Sequence, residues 1–204
     1  MQVLIKLFER IYKNQVLVMA LPFVTVLAML IRHFYFYKSL DTDEKATPSD
    51  GTSYSAEKLN EWYDLLGTEG CQQYRSYVLW HLITWDPLVF FLCGTFLVGY
   101  GREAPRVKPQ WIEAGVLFVI ITVVADVINH IILMEGCMVY PEHLSDATIE
   151  IGSSSLCTTW IFLASVVILI FWWRCERNLS DPQLDRAGET EQLSGRARGG
   201  YSAV

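Results

Sequence analysis

Four long apolar runs divide this chain. Residues 14–31 hold no charged side chain. Residues 76–101 hold only His81 and Asp86 as titratable groups, tyrosines and Cys93 aside, and residues 114–134 hold only Asp126 and His130. Residues 151–173 are uncharged throughout. Each run approaches or exceeds the ~20 residues that a helix needs to cross a bilayer. The pattern predicts an all-α fold, a four-transmembrane-helix bundle, with spans over residues 15–35, 76–100, 111–134 and 153–173.

The polar segments fall between these runs. Ahead of the first, Val3, Leu4, Leu7, Phe8 and Ile11 share one helical face, while Lys6, Arg10 and Lys13 lie opposite or flank it. That predicts a short amphipathic helix leading into the first span. No small-x-small site follows the run, so a cleaved signal is not expected. Pro22 is expected near the start of the first span, where a missing N–H is tolerated. The aromatic run at residues 32–37 reads as an interfacial belt.

Residues 40–77 read as a polar loop carrying one short helix at 55–66. Ser55 caps that helix, Leu59, Trp62, Leu65 and Leu66 form its apolar face, and Gly67 and Gly70 end it. Residues 101–113 and 135–152 read as the other two loops. Residues 175–204 are polar and without apolar periodicity, which sets a C-terminal tail apart from a membrane domain over 1–174.

Charge adds orientation. The N-terminal helix, the 101–113 loop and the C-terminal segment from Arg174 hold most of the 16 basic residues, whereas the 135–152 loop holds acids and no Lys or Arg. Both termini are expected on the same, positive side. The sequon at Asn178 is then expected to stay unglycosylated. Cys71, Cys137 and Cys157 fall on the opposite side, with their pairing open. Cys175, beside the membrane, is either a palmitoylation site or a plain interfacial cysteine. The net charge of −6 comes without a basic stripe, so no nucleic-acid partner is expected. The five cysteines lack CxxC spacing, and no cofactor motif occurs.

The candidate chemistry lies in the two middle spans. An ionisable side chain at mid-bilayer costs roughly 2.5–3.5 kcal/mol on insertion scales, so such groups mark either packing contacts or a site. If the chain folds back about residue 105.5, residue i faces residue 211 − i. His81 then lies level with His130, and Asp86 within one residue of Asp126. Asp126 and His130 share a face at i, i+4. His81 and Asp86, five apart, diverge by about 140° on a regular helix unless Pro87 bends it.

Three readings of these four residues stand side by side. They are interhelical hydrogen-bonding glue, a ligand or proton-transfer site, or a metal site built on the Asp126/His130 spacing with His81 and Asp86.

Around them a family resemblance emerges. Trp62-Tyr63, Arg75 between Tyr74 and Tyr77, Pro87-Leu88 after an acid, and Asp126 on the following helix resemble the EXPERA family, the fold of the emopamil-binding sterol isomerases and the related sigma-type receptor. The resemblance implies a sterol-like ligand between the spans. If the chain is an enzyme, it implies His81, Asp86 and Asp126 as proton donor and acceptor. Where that family is expected to carry a helix glutamate, this chain has His81, or Asp86 five residues on, and the last span lacks a polar Asn.

A claudin-like reading shares the four spans. It has Trp62 and Cys71 but no second loop cysteine, and Ser202-Ala203-Val204 fits a C-terminal carboxylate ligand.

With no complete catalytic set, the leading expectation is a non-catalytic accessory subunit of a larger membrane complex, an energy-transducing one being one setting. Its partners would be other membrane subunits and lipids. No cofactor and no metal are assigned, and His81, Asp86, Asp126 and His130 are the candidate ligand-binding residues. The mitochondrial inner membrane and the endoplasmic reticulum are the two settings considered.

Overall fold

In a computed structural model, residues 1–31, 34 and 52–179 are described. Among the described residues the regular structure is all helical, with no strand. The order is α1 (Gln2–Lys13), α2 (Gln15–Ile31), α3 (Ala56–Trp80), a π-turn (His81–Trp85), α4 (Asp86–Glu103), α5 (Pro109–Val139) and α6 (Asp146–Leu179). Among the described residues, three segments are long and apolar enough to cross a membrane: the continuous α3–α4 helix, α5 and α6. The α1–α2 pair passes the same test only as one unit bent by 96° at Asn14. With 17 residues, α2 is about 26 Å long, slightly less than a bilayer's hydrocarbon core.

Several boundaries differ from the sequence reading. The helix begun at Ser55 does not stop at Gly67 and Gly70. Ser55 Oγ accepts from the Lys58 N–H at 3.3 Å, as expected of a cap. Gly67 then breaks the helix locally at φ +63°, ψ −173°, and the helix resumes through Gly70 to Trp80. Residues 68–75, read as loop, are therefore helical. Only glycine adopts that backbone region without strain. A Cβ at Gly67 would meet no neighbour, so the penalty for a side chain is conformational. Gly67→Ala is expected to cost about 1–3 kcal/mol and lower the midpoint of a tryptophan-fluorescence melt in detergent by roughly 2–10 °C.

The 135–152 loop shortens to residues 140–145, because α5 and α6 run on past the apolar runs. Likewise α6 continues to Leu179, across the expected 174/175 boundary. Pro22 sits well inside α2 rather than in its first turn. Apart from Phe34, the 32–37 belt lies outside the described residues, as do the start of the 40–77 loop, through residue 51, and the tail beyond Leu179.

The amphipathic lead-in forms, and only part of its apolar face turns inward. Ile5 and Phe8 are buried, whereas Val3 and Leu7 are exposed. The reason is its partner: α1 lies against α4, where Phe8 covers Gly94 and Tyr12 covers Gly99. At its end, Tyr12 donates to Glu103 Oε2 at 2.9 Å, and Arg177 of α6 reaches the same oxygen at 2.9 Å. In the 55–66 helix, Leu59 and Trp62 turn inward as expected, but Tyr63 joins them and Leu65 is exposed.

The core forms two apolar clusters. One gathers Tyr54, Leu59, Trp62, Tyr63, Tyr74 and Leu133 around the α3–α5 contact. The other gathers Ile5, Phe8, Leu97, Val116, Val166 and Trp173 around α1, α4, α5 and α6. His81, Asp86, Thr122, Asn129 and His130 are also buried, and belong to neither cluster. Outward faces of α2 and α6 expose large apolar side chains, among them Met19, Phe23, Ile161, Ile168 and Phe171. Apolar exposure on that scale suits lipid better than water.

Candidate functional site

The structure brings the four candidate residues into one cluster. His81 opens the π-turn, in which the Asp86 N–H donates to the His81 carbonyl rather than to the one four residues back. An i→i+5 turn stacks residues five apart, and π-bulges of this kind recur at functional sites. The turn does what a Pro87 kink was expected to do. It puts His81 and Asp86 on one face, with Pro87 in the first turn of α4. His81 Nε2 lies 3.3 Å from Asp86 Oδ1 and 3.4 Å from Asp126 Oδ2.

From α5, Asp126 and His130 meet this pair. His130 Nδ1 is 2.9 Å from the Asp126 carbonyl oxygen and 3.4 Å from its Oδ1. A carbonyl only accepts, so His130 Nδ1 carries the proton and Nε2 the lone pair. The two imidazole rings stack with centroids 4.1 Å apart and planes 24° apart. His81, Asp86 and His130 are each 3% exposed, and Asp126 is half-buried. His81 Nδ1 and Asp86 Oδ2 are buried with no hydrogen-bond partner among the described residues.

Two supporting residues went unread in the sequence. Asn129, fully buried beside His130, accepts a hydrogen bond at 2.8 Å from Tyr54 Oη. Tyr54 is itself anchored by its N–H to Ser153 Oγ at 3.0 Å. Burial pushes the Tyr54 phenol well above its ordinary pKa, so it remains a donor near neutral pH. The signal for Asn129 was available, since it lies three residues after Asp126 and shares its face. Nothing in the sequence pointed to Tyr54, which precedes the helix and meets Asn129 only through the fold.

Asp86 and Asp126 also form part of the wall of a cleft of about 440 Å³ between α2 on one side and α4, α5 and α6 on the other. Its remaining wall is mainly apolar: Val26, Met29, Trp85, Val89, Leu92 and Leu163. Thr25, Thr122 and Thr159 contribute hydroxyls, each already donating to a carbonyl four residues back on its own helix. A larger groove of about 820 Å³ runs along the outer faces of α5 and α6, but it touches none of the four residues. Chemically, the arrangement sets two carboxylates in the wall of an apolar cleft, each in contact with an imidazole. It can hold a cation, hydrogen-bond a ligand's polar end, or exchange a proton with it.

Compared with known protein families, with characterised proteins and with solved structures, the chain matches none.

Proposed function

We propose that this chain is a multi-pass integral membrane protein that binds a sterol-like lipid in the cleft beside α2. In this reading the bent α1–α2 pair supplies a fourth span, and both termini face the same side. The ligand's apolar body lies against Met29, Val89, Leu92 and Leu163, and its polar end meets Asp86 and Asp126. His81 and His130 hold those carboxylates in place. This is the arrangement that an EXPERA-type protein would use. Were the chain an isomerase, His81, Asp86 and Asp126 would be the groups that give and take the proton.

One observation carries the reading: a cleft of about 440 Å³, apolar except for Asp86, Asp126 and three threonine hydroxyls. That volume falls in the range of small-molecule sites, roughly 300–1,000 Å³, and the pattern of apolar walls with a few convergent polar groups is theirs. Tightly filled helix packing at this place would have favoured the accessory-subunit reading.

The test is purification in mild detergent, followed by native mass and by mass spectrometry of extracted lipid. The expected result is a chain free of other polypeptides that retains a sterol-like lipid. A chain recovered only with other polypeptides, and without such a lipid, would overturn the proposal in favour of the accessory subunit. For the topology, an acceptor sequon placed in the 140–145 loop is expected to be glycosylated in microsomes, while Asn178 is not. The opposite pattern would invert the assignment.

A further inference from the structure

The geometry points to a divalent transition-metal site of the zinc class at His81, Asp86, Asp126 and His130. One ring nitrogen of each histidine and one carboxylate oxygen of Asp126 all lie within 4.8 Å of one another. Asp86 lies outside that group of three but beside it, its Oδ1 being 3.3 Å from His81 Nε2, and is the fourth ligand of the proposed site.

The spacing distinguishes a metal site from a set of ion pairs. Charge-assisted hydrogen bonds draw nitrogen and oxygen to about 2.7–2.9 Å. Here the His81–Asp86 and His81–Asp126 side-chain separations are 3.3 and 3.4 Å. Ligands placed tetrahedrally at 2.0–2.1 Å from a zinc ion stand roughly 3.3–3.4 Å apart. Both separations match the edge of such a tetrahedron.

Charge leads to the same assignment. Two carboxylates in an apolar interior need two positive charges nearby. One divalent ion bound by two carboxylates and two neutral imidazoles gives a net charge of zero. The donor set of two nitrogens and two oxygens suits Zn²⁺. Mg²⁺ and Ca²⁺ prefer six or more oxygens.

The surroundings already orient the ligands. The His130 Nδ1–H bond to the Asp126 carbonyl leaves Nε2 as the coordinating atom, the usual way a protein fixes the tautomer of a metal-binding histidine. The π-turn supplies the other half by placing His81 and Asp86 together. Asp86 and Asp126 also reach the cleft, so a bound ion would sit at its inner wall, within reach of a ligand's oxygen.

The experiment measures metal in the detergent-purified full chain by inductively coupled plasma mass spectrometry. It also follows thermal stability on adding Zn²⁺ to chelator-treated protein. About one zinc per chain, with a raised melting midpoint on Zn²⁺ addition, is the expected result. Co²⁺ substituted for zinc should give the visible bands of a tetrahedral site. Asp126→Asn and His130→Gln should each lower bound metal at least tenfold, whereas His143→Gln, outside the cluster, should leave it unchanged. Should either cluster variant fail to fold, the wild-type measurements decide alone: no retained metal and no stabilisation by Zn²⁺ would overturn the inference. Full metal in both folded cluster variants would overturn it equally. The outcome is independent of the lipid reading. Metal without sterol defeats only that reading, and sterol without metal defeats only this one.

Discussion

Asp126→Asn is expected to weaken binding of a sterol-like ligand by roughly 30- to 150-fold. Asp126 alone among the four touches both histidines, through Oδ2 to His81 and Oδ1 to His130. It also contributes to the cleft wall. Asparagine keeps the shape but removes the charge and turns one acceptor into a donor. His81 and His130 then lose the charged acceptor they share in a buried layer. Hydrogen bonds to charged groups are worth about 1.5–3 kcal/mol, and a loss of about 2–3 kcal/mol corresponds to that change in affinity. Titration of wild type and variant with a photoreactive sterol, read as crosslinked fraction, measures it. Unchanged affinity in a folded variant would remove Asp126 from the site. Asp126→Glu, which restores the charge on a longer arm, is expected to recover part of the loss.

The second large effect concerns α1. Changing Gly94 and Gly99 together to alanine is expected to release this helix from the bundle. A Cβ at Gly94 would press on the ring of Phe8, and one at Gly99 on the ring of Tyr12, each well short of van der Waals contact. Phe8 is fully buried, wedged edge-on against Phe90 with centroids 5.2 Å apart, so it has little room to retreat. Overpacking costs about 1–3 kcal/mol per site. Two such sites on one short helix act against the burial of Ile5 and Phe8 that holds it in place. A cysteine introduced at Ile5 should be protected from maleimide in the parent and label at least tenfold faster with both glycines changed. Equal labelling rates would show that α1 is held by other contacts, such as Tyr12–Glu103–Arg177.

Much of this architecture could be read in advance from a few features. The apolar runs located α2, α4, α5 and α6, because a helix that faces lipid or core on all sides leaves an unbroken stretch of apolar residues. Reflection about the short 104–108 connection placed His81 level with His130, and their rings do stack. Depth is legible because rise per residue hardly varies along a helix.

Rotation about the helix axis is less legible. His81 and Asp86 converge only because five residues adopt a π-turn, and no local composition signals that choice. The docking face of α1 was not legible for a related reason. Its amphipathic pattern admitted several neighbouring stripes, and the two glycines of α4 decided which one docks. Gly67 was recognised as a break but taken for an end, since a single φ of +63° interrupts a helix without redirecting the chain into a loop.

The sequence by itself determined that this protein is helical, where its apolar segments lie, and which ionisable side chains share a level. Those properties follow from hydropathy and from a constant helical rise, both local. The tertiary structure alone decided that the four side chains face one another, that Tyr54 supports Asn129, and that a cleft opens beside Asp86 and Asp126. These depend on how helices turn and seat against one another, and therefore on contacts between residues far apart in the chain.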